Sequence, residues 1–552
     1  MAEAHALTAS FPPRPIAATP ADSDRIEPRR LLAFLAMVFG MFMAILDIQI
    51  VSASLTEIQA GLAASADEIP WVQTAYLIAE VVMIPLSGYL SRALGTRLVF
   101  AISAAGFTAA SFLCGTASSI GEMIVWRAVQ GFIGGGMIPT VFATAFIIFP
   151  RSRVGVISAL IGLVATLAPT IGPTVGGYLT DALSWHWLFF VNIVPGIGVT
   201  IATLALVDFD QPNLALFKRF DWIGLLAMAG FLGSLEYVLE DGPRYDWLDD
   251  DSIFLFAWIS AISAVVFFAR VLTAEQPIVD LRSFSNRNFA LGSLFSFVLG
   301  IGLYGLTLVY PLYLGRVRGY DALMIGETMF VSGLAMFLTA PIAGRLVAKV
   351  DQRLMLTFGF LCFAVGTWWM TYVTKDWDFW ELMWPQIFRG IGLMFSIIPI
   401  NNIALGTLPP DRVKNASGLY NLMRNLGGAV GLAAIYTFLN DRTDLHLARL
   451  HEALNSAYRP ALEALDGLTS HFQAYGSDAR MMALKQLFLM VHREGVVMAF
   501  SDVFFALAVL FVVVGLGSII MKRPADALTP GEQRGPEAFS HRSPMTTPQR
   551  PS

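Results

Sequence analysis

Ser158–Leu179, SALIGLVATLAPTIGPTVGGYL, is the stretch whose reading decides the fold. It stays apolar for roughly 20 residues, the length of helix that crosses a bilayer. Yet it contains Pro169, Pro173, Gly162, Gly172, Gly176 and Gly177. Inside a water-soluble helix a proline costs about 3 kcal/mol and a glycine about 1. A membrane helix tolerates both when neighbouring helices re-satisfy the freed backbone groups. Small residues also let a second backbone come close. The stretch therefore predicts a bendable helix packed inside a bundle, either as passive packing or as a working hinge.

The composition agrees with a membrane setting. The chain has 552 residues, of which 56% are hydrophobic and 14% charged. Soluble domains carry about 25% charged residues, so this chain is better counted in spans than in domains. A net charge of −5 gives no hint of a nucleic-acid partner. Cys114 and Cys362 both fall in apolar runs, which argues against a disulfide framework. None of the seven histidines is mid-span, so no intramembrane histidine metal site is expected. No phosphate-binding Gly-x-x-x-x-Gly-Lys-Ser/Thr loop is present, so ATP is not expected to drive the protein directly. A membrane-embedded enzyme fails on this inventory, and no cofactor is expected.

Long apolar runs predict 14 spans near 31–54, 70–90, 98–118, 122–148, 154–178, 186–207, 221–240, 252–271, 288–313, 324–347, 353–373, 380–406, 416–439 and 497–520. Lys and Arg in the short loops test the count. One set of alternate loops holds Arg92, Arg97, Arg151, Arg153, Lys218, Arg219, Arg282, Arg287, Lys349, Arg353, Arg412 and Lys414. The other set holds only Arg244, Arg316, Arg318 and Lys375. By the positive-inside rule the first set, and both termini, face the cytoplasm. Residues 1–30 and 522–552 read as disordered cytoplasmic tails. The long loop 440–496 lies outside and reads as two helices with a turn near Gly476. That loop is either a solvated cap or a docking surface.

The chain repeats itself. Ile84-Pro85-Leu86-Ser87-Gly88-Tyr89-Leu90 matches Ala340-Pro341-Ile342-Ala343-Gly344-Arg345-Leu346, and Arg127 finds a mate in Arg389. Residues 31–207 and 288–520 therefore read as two six-helix bundles, with two helices inserted at 221–271. Parallel six-span repeats are a transporter architecture, with the substrate site between the halves near the midplane.

Several stretches resemble one family. Leu46-Asp47-Ile48-Gln49-Ile50-Val51 resembles its first-span motif. Gly88-Tyr89-Leu90-Ser91-Arg92-Ala93-Leu94-Gly95-Thr96-Arg97 resembles its cytoplasmic loop motif, Gly88, Arg92, Gly95 and Arg97 included. Arg127-Ala128-Val129-Gln130-Gly131 resembles its fourth-span motif, and Gly172-Pro173-Thr174-Val175-Gly176-Gly177 its fifth-span antiporter motif. The chain is similar, over roughly residues 35–520, to the major facilitator superfamily in its 14-span drug:proton antiporter branch, the EmrB/QacA-like exporters. Where the family carries Asp in the loop motif this chain has Arg92, and where it carries Thr in the first span this chain has Gln49. The resemblance implies an all-α fold in the inner membrane of a bacterium. It implies proton-coupled efflux of hydrophobic or amphipathic organic compounds, with lipid, protons and a small-molecule substrate as partners. It further implies a periplasmic adaptor protein and an outer-membrane channel for some relatives. The alternatives are export of one metabolite (a siderophore, a fatty acid or a self-made antibiotic) and, more remotely, a transporter-like sensor.

Ionisable groups inside spans are expensive and are functional candidates by default. Asp47, Glu80, Glu236 and Glu327 are the candidates for proton coupling. Taking a carboxyl out of water favours its neutral form, as proton-driven transport requires. Asp47 leads, because the resembled motif centres on it; otherwise it is a helix-end carboxylate reaching the interface. Glu80 reads equally as half of a structural ion pair, and Glu236 and Glu327 as interfacial groups. Arg127, Gln130, Arg389 and Arg424 are the charge-pair candidates, with a purely structural role open for each. Pro169, Gly172, Pro173, Gly176 and Gly177 form the expected hinge. Gln49, Tyr304, Tyr310, Asn401 and Asn402 are candidate cavity-lining groups for substrate.

Overall fold

The computed structural model describes residues 27–320, 322–453 and 459–521. The expected tails at 1–26 and 522–552 lie outside the described residues. Every regular element among the described residues is helical. Fourteen helices are long and apolar enough to cross a membrane. Spans 1 to 6 are Pro28–Ser52, Trp71–Leu94, Thr96–Gly115, Ile120–Ile148, Arg153–Ala182 and Trp187–Leu206. Spans 7 and 8 are Trp222–Arg244 and Asp251–Thr273. Spans 9 to 14 are Arg287–Arg318, Met324–Leu346, Gln352–Tyr372, Phe379–Leu405, Asp411–Glu452 and Gln473–Ile520. We call the face where span 1 begins the terminal face; span 14 ends there too.

Two spans are broken where the sequence is permissive. Span 4 stops at Gly134 and resumes at Met137, across Gly135-Gly136. Span 6 is a short turn at Trp187–Phe190 followed by Ile193–Leu206, with Asn192 at the junction. Span 5 runs unbroken from Arg151 to Ala182 despite Pro169 and Pro173, as neighbouring helices allow in a bundle.

The loop 440–496 is helical with its turn at Gly476, as its leucine spacing predicts, and its outer helices are continuations of the flanking spans. Span 13 continues as one helix from Pro410 to Ala453, and span 14 as one from Ala479 to Gly517. A short helix, Arg459–His471, and a turn at Gly476 with φ +59° join them. The physical reason is helical continuity, since nothing between Tyr436 and Ala453 breaks the backbone hydrogen-bond ladder.

The seam between the halves is built by glycines at repeat-related positions. A Cβ on Gly88 of span 2 would lie 2.7 Å from the Lys414 carbonyl oxygen of span 13. A Cβ on Gly344 of span 10 would lie 2.8 Å from Ala159 Cβ of span 5. Thus span 2 packs on span 13 and span 10 on span 5, each crossing the halves. Spans 7 and 8 pair with one another, tied by Arg270–Asp221 at 2.8 Å, and span 7 leans on spans 2 and 13.

Candidate functional site

Asp47 lies on span 1, well toward the face away from the termini, and is wholly buried. Arg127 and Gln130 stand one turn apart on span 4, so both point to one side of that helix. Arg127 Nη1 donates to Asp47 Oδ2 at 2.7 Å and to Gln130 Oε1 at 2.6 Å. Gln130 Nε2 donates to Asp47 Oδ1 at 3.1 Å and to Ser111 Oγ of span 3 at 2.8 Å. Asn192, at the break in span 6, donates to Asp47 Oδ1 at 2.7 Å. Arg127 Nε donates to the Val72 carbonyl of span 2 at 3.0 Å, and its guanidinium lies 4.3 Å from the Tyr76 ring centroid. One carboxylate thus ties together spans 1, 4 and 6, while its partners reach spans 2 and 3. Asp47 and Arg127 are both 0% exposed. Such a pair is costly to desolvate and costly to break, because either partner alone is an uncompensated buried charge.

Span 5 runs directly behind this site. A Cβ on Gly172 would collide with Gln49 Cβ, and one on Gly176 would lie 2.8 Å from the Ile50 carbonyl oxygen. The glycines of the predicted hinge therefore let span 5 press against span 1 within one turn of Asp47. On the other side, Thr170 and Thr174 of span 5 pack against Gly333 and Gly326 of span 10. Span 5 is in direct contact with both the carboxylate-bearing helix and the opposite half. Pro169, Pro173 and Gly177 lie on the same helix.

A second group of polar side chains lies nearer the middle, where spans 2, 7, 9 and 13 meet. Glu80 is buried and its Oε1 has no hydrogen-bond partner. Arg424 of span 13 is buried, donates to Asn421 Oδ1 at 2.6 Å, and leaves Nε and Nη1 unpartnered. Its guanidinium faces the Phe142 ring at 5.0 Å. Glu236 of span 7 is also buried, and Tyr304, half-buried, approaches Asn425 at 3.5 Å. Unlike Asp47, Glu80 is left with unused hydrogen-bonding capacity in a buried place.

The remaining candidates separate. Glu327 is exposed on the second turn of span 10, apart from both groups. Arg389 is buried, donates to Thr307 Oγ1 at 2.6 Å and to Gln386 Oε1 at 3.3 Å, and lies 5.7 Å from the Tyr310 ring. Asn401 accepts from the Tyr420 hydroxyl, and Asn402 accepts from Ser158 of the other half at 3.1 Å. Both asparagines are buried, and Asn402 lies in the seam between the halves. In the loop motif, Arg92 stacks over Tyr89 at 5.6 Å, Arg97 is exposed, and Gly95 has φ +82°, a left-handed value that suits glycine.

Asn192 and Ser111 are the site residues that charge-based reading misses. Asn192 is the lone polar side chain in Trp187-Leu188-Phe189-Phe190-Val191-Asn192-Ile193-Val194. Searching spans for buried amides as well as charges finds it. Ser111 has no such signal, because span 3 holds several hydroxyl side chains.

The sequence profile of the Major Facilitator Superfamily matches residues 37–432. The Colistin resistance protein EmrB of Acinetobacter baumannii is 41% identical over 492 residues, covering 89% of this chain and 96% of that protein. The Multidrug export protein EmrB of Escherichia coli K12 is 29% identical, covering 89% of this chain and 94% of its own length. The Fatty acid resistance protein FarB of Neisseria gonorrhoeae is 30% identical, covering 87% and 94%.

Proposed function

This chain belongs to the major facilitator superfamily, and on that premise we propose that it exports hydrophobic or amphipathic organic compounds, drugs among them, in exchange for protons. It is a multi-pass membrane protein of a transporter family. The terminal face is the cytoplasmic one, by the distribution of Lys and Arg, and the membrane is the inner membrane of a bacterium.

The observation that carries the reading is the buried Asp47–Arg127 pair set against span 5. Asp47 binds a proton on one side of the cycle and releases it on the other. With Asp47 charged, Arg127, Gln130 and Asn192 hold span 1 to spans 4 and 6. Once it is protonated, the Coulomb attraction to Arg127 is lost and span 1 is freer to shift. Gly172 and Gly176 pass that shift to span 5, and Thr170 and Thr174 pass it to span 10 of the other half. Proton occupancy then biases the inward–outward equilibrium, as it must if it stabilises one state more than the other. The test is efflux from proteoliposomes under an imposed pH gradient, using a fluorescent hydrophobic dye. Dye movement indifferent to the gradient would end the proposal.

A second reading concerns the cargo. Arg389 and Arg424 are buried and, among the described residues, have no carboxylate within salt-bridge distance. Guanidinium groups bind carboxylates in a planar, bidentate way. That favours amphiphiles with an acidic head, and a relative named for fatty acid resistance is in keeping with it. Competition between a long-chain fatty acid and the dye for efflux separates the two readings.

The extension of span 14 exposes Met481, Leu484 and Phe488 at helical spacing. On the outer side of an inner membrane this stripe suits a helical adaptor protein leading to an outer-membrane channel. Replacing the three by serine lowers resistance in cells while leaving dye efflux from proteoliposomes intact. Unchanged resistance removes the docking role.

A further inference from the structure

The loop between spans 2 and 3 lacks an acidic residue, Arg92 standing where the resembled motif has Asp. The carboxylate that serves this place comes instead from Asp210, in the segment after span 6. Asp210 accepts from the Thr96 backbone N–H at 2.9 Å and from the Thr96 hydroxyl at 2.9 Å, capping the start of span 3. It also pairs with Lys414, in the first turns of span 13. Lys414 Nζ donates in addition to the Ser91 carbonyl at 3.1 Å. The two side chains are 14% and 17% exposed, so water screens them little. In the other half the start of span 11 is capped from its own loop, Asp351 accepting from the Arg353 N–H at 3.1 Å.

The pair crosses the halves, for Asp210 directly follows the last span of the first bundle and anchors on Thr96 within it, while Lys414 belongs to the second. Around it the halves are in contact. Ser417 donates to the Pro139 carbonyl at 2.7 Å, and a Cβ on Gly418 would lie 3.0 Å from the Ile84 carbonyl oxygen. Opening this face requires span 13 to leave spans 2 and 4, and with them Asp210.

We propose that Asp210 and Lys414 form a latch that holds the terminal face closed, and that Asp210 stands in for the acid missing at position 92. The latch rests on the alternating-access reading. It positions helices and touches no cargo.

The experiment reads closure without cargo or a proton gradient, so its failure and the failure of the exporter reading are distinguishable. Ser417→Cys serves as a reporter under the seam, against Cys114 and Cys362, which are both buried. A membrane-impermeant maleimide is applied to the terminal face of the full chain in vesicles. Asp210→Asn and Lys414→Met should each raise the labelling rate about five- to tenfold, as expected for a shifted two-state equilibrium. The double variant should label no faster than the faster single one, since both changes break one interaction. Asp210→Glu and Lys414→Arg should label near the parent rate. Lys414→Met leaves the Thr96 cap in place, so it tests the latch even where Asp210→Asn fails to fold. A parent-like rate in Lys414→Met, or additive effects in the double variant, overturns the latch and leaves Asp210 a helix cap only.

Discussion

Arg127 and Arg389 occupy repeat-related places, each early in the fourth span of its half, yet their surroundings differ. Arg127 donates to Asp47 at 2.7 Å, whereas Arg389 donates to Thr307 at 2.6 Å. Asp47 and Thr307 both lie on the first span of their halves. Each arginine also has a glutamine one turn away on its own helix, Gln130 at 2.6 Å and Gln386 at 3.3 Å. The glutamine lies three residues after Arg127 and three before Arg389, and the first-span partner differs: a carboxylate in the first half, a hydroxyl in the second. Only the carboxylate can take up a proton and in doing so change the charge of its site. On the proposed mechanism, the first half senses protons. The other holds a fixed positive charge.

The comparison breaks at once if Asp47 is dispensable. Asp47→Asn keeps the shape and the hydrogen-bonding reach but fixes the charge, so pH-driven dye efflux should fall by about 100-fold or more, a barrier change of roughly 3 kcal/mol. Full gradient-driven efflux by this variant would place coupling elsewhere, Glu80 first.

Removing each arginine sharpens the contrast. Arg127→Met strands a buried carboxylate and should destabilise the protein by about 3–5 kcal/mol. Arg389→Met strands no acid and should cost clearly less, as read by thermal unfolding in detergent. Adding Asp47→Asn to Arg127→Met should recover part of the loss, because the stranded charge is gone. Equal destabilisation by the two single variants would erase the distinction.

The helix seam gives an intermediate effect. Gly176→Val pushes a branched side chain into the Ile50 carbonyl and should cost about 1–3 kcal/mol through overpacking. Efflux should fall with it, because span 5 then stands off span 1. Gly467→Ala, in the extramembrane helix with open space around it, is the control and should leave efflux unchanged while stabilising that helix by up to about 1 kcal/mol.

The last expected effects, of much the same size in stability as that of the seam, concern single hydrogen bonds. Asn192→Ala removes one donor from a charged acceptor and should cost about 1.5–3 kcal/mol. Thr307→Val removes the hydroxyl that accepts from Arg389 and falls in the same range or below. If Thr307→Val lowered efflux as far as Asp47→Asn, the second half would be as active in coupling as the first.

Much of this was legible before any coordinates. Hydrophobic runs and loop charges located the spans, and the rarity of charge inside them singled out Asp47, Arg127, Glu80 and Arg424. Span 4 and span 6 were read as continuous, and both are broken, because a Gly-Gly pair or a lone amide leaves no mark on a hydropathy window. Glu327 was selected by the same rule that selected Asp47, and the structure leaves it exposed. Intramembrane position along the chain does not say which way a side chain points. Leucine spacing in the loop 440–496 predicts its helices and the turn near Gly476, but not that the outer helices continue spans 13 and 14, because polar composition does not end a helix whose backbone is satisfied.

By itself the sequence determined the span count, the order of the spans, the duplication of the halves and which helix carries each charge. These follow from local quantities: the 1.5 Å rise of a helix, the thickness of a bilayer and the cost of charge within it. The tertiary structure decided the partnerships. Arg127 reaches Asp47 across 80 residues, Asn192 reaches it across 145, and Lys414 reaches Asp210 across 204. Contacts so far apart depend on how helices pack side by side. Which arginine gains a carboxylate, and which acid fills a place its own loop leaves empty, is settled only when the bundle closes.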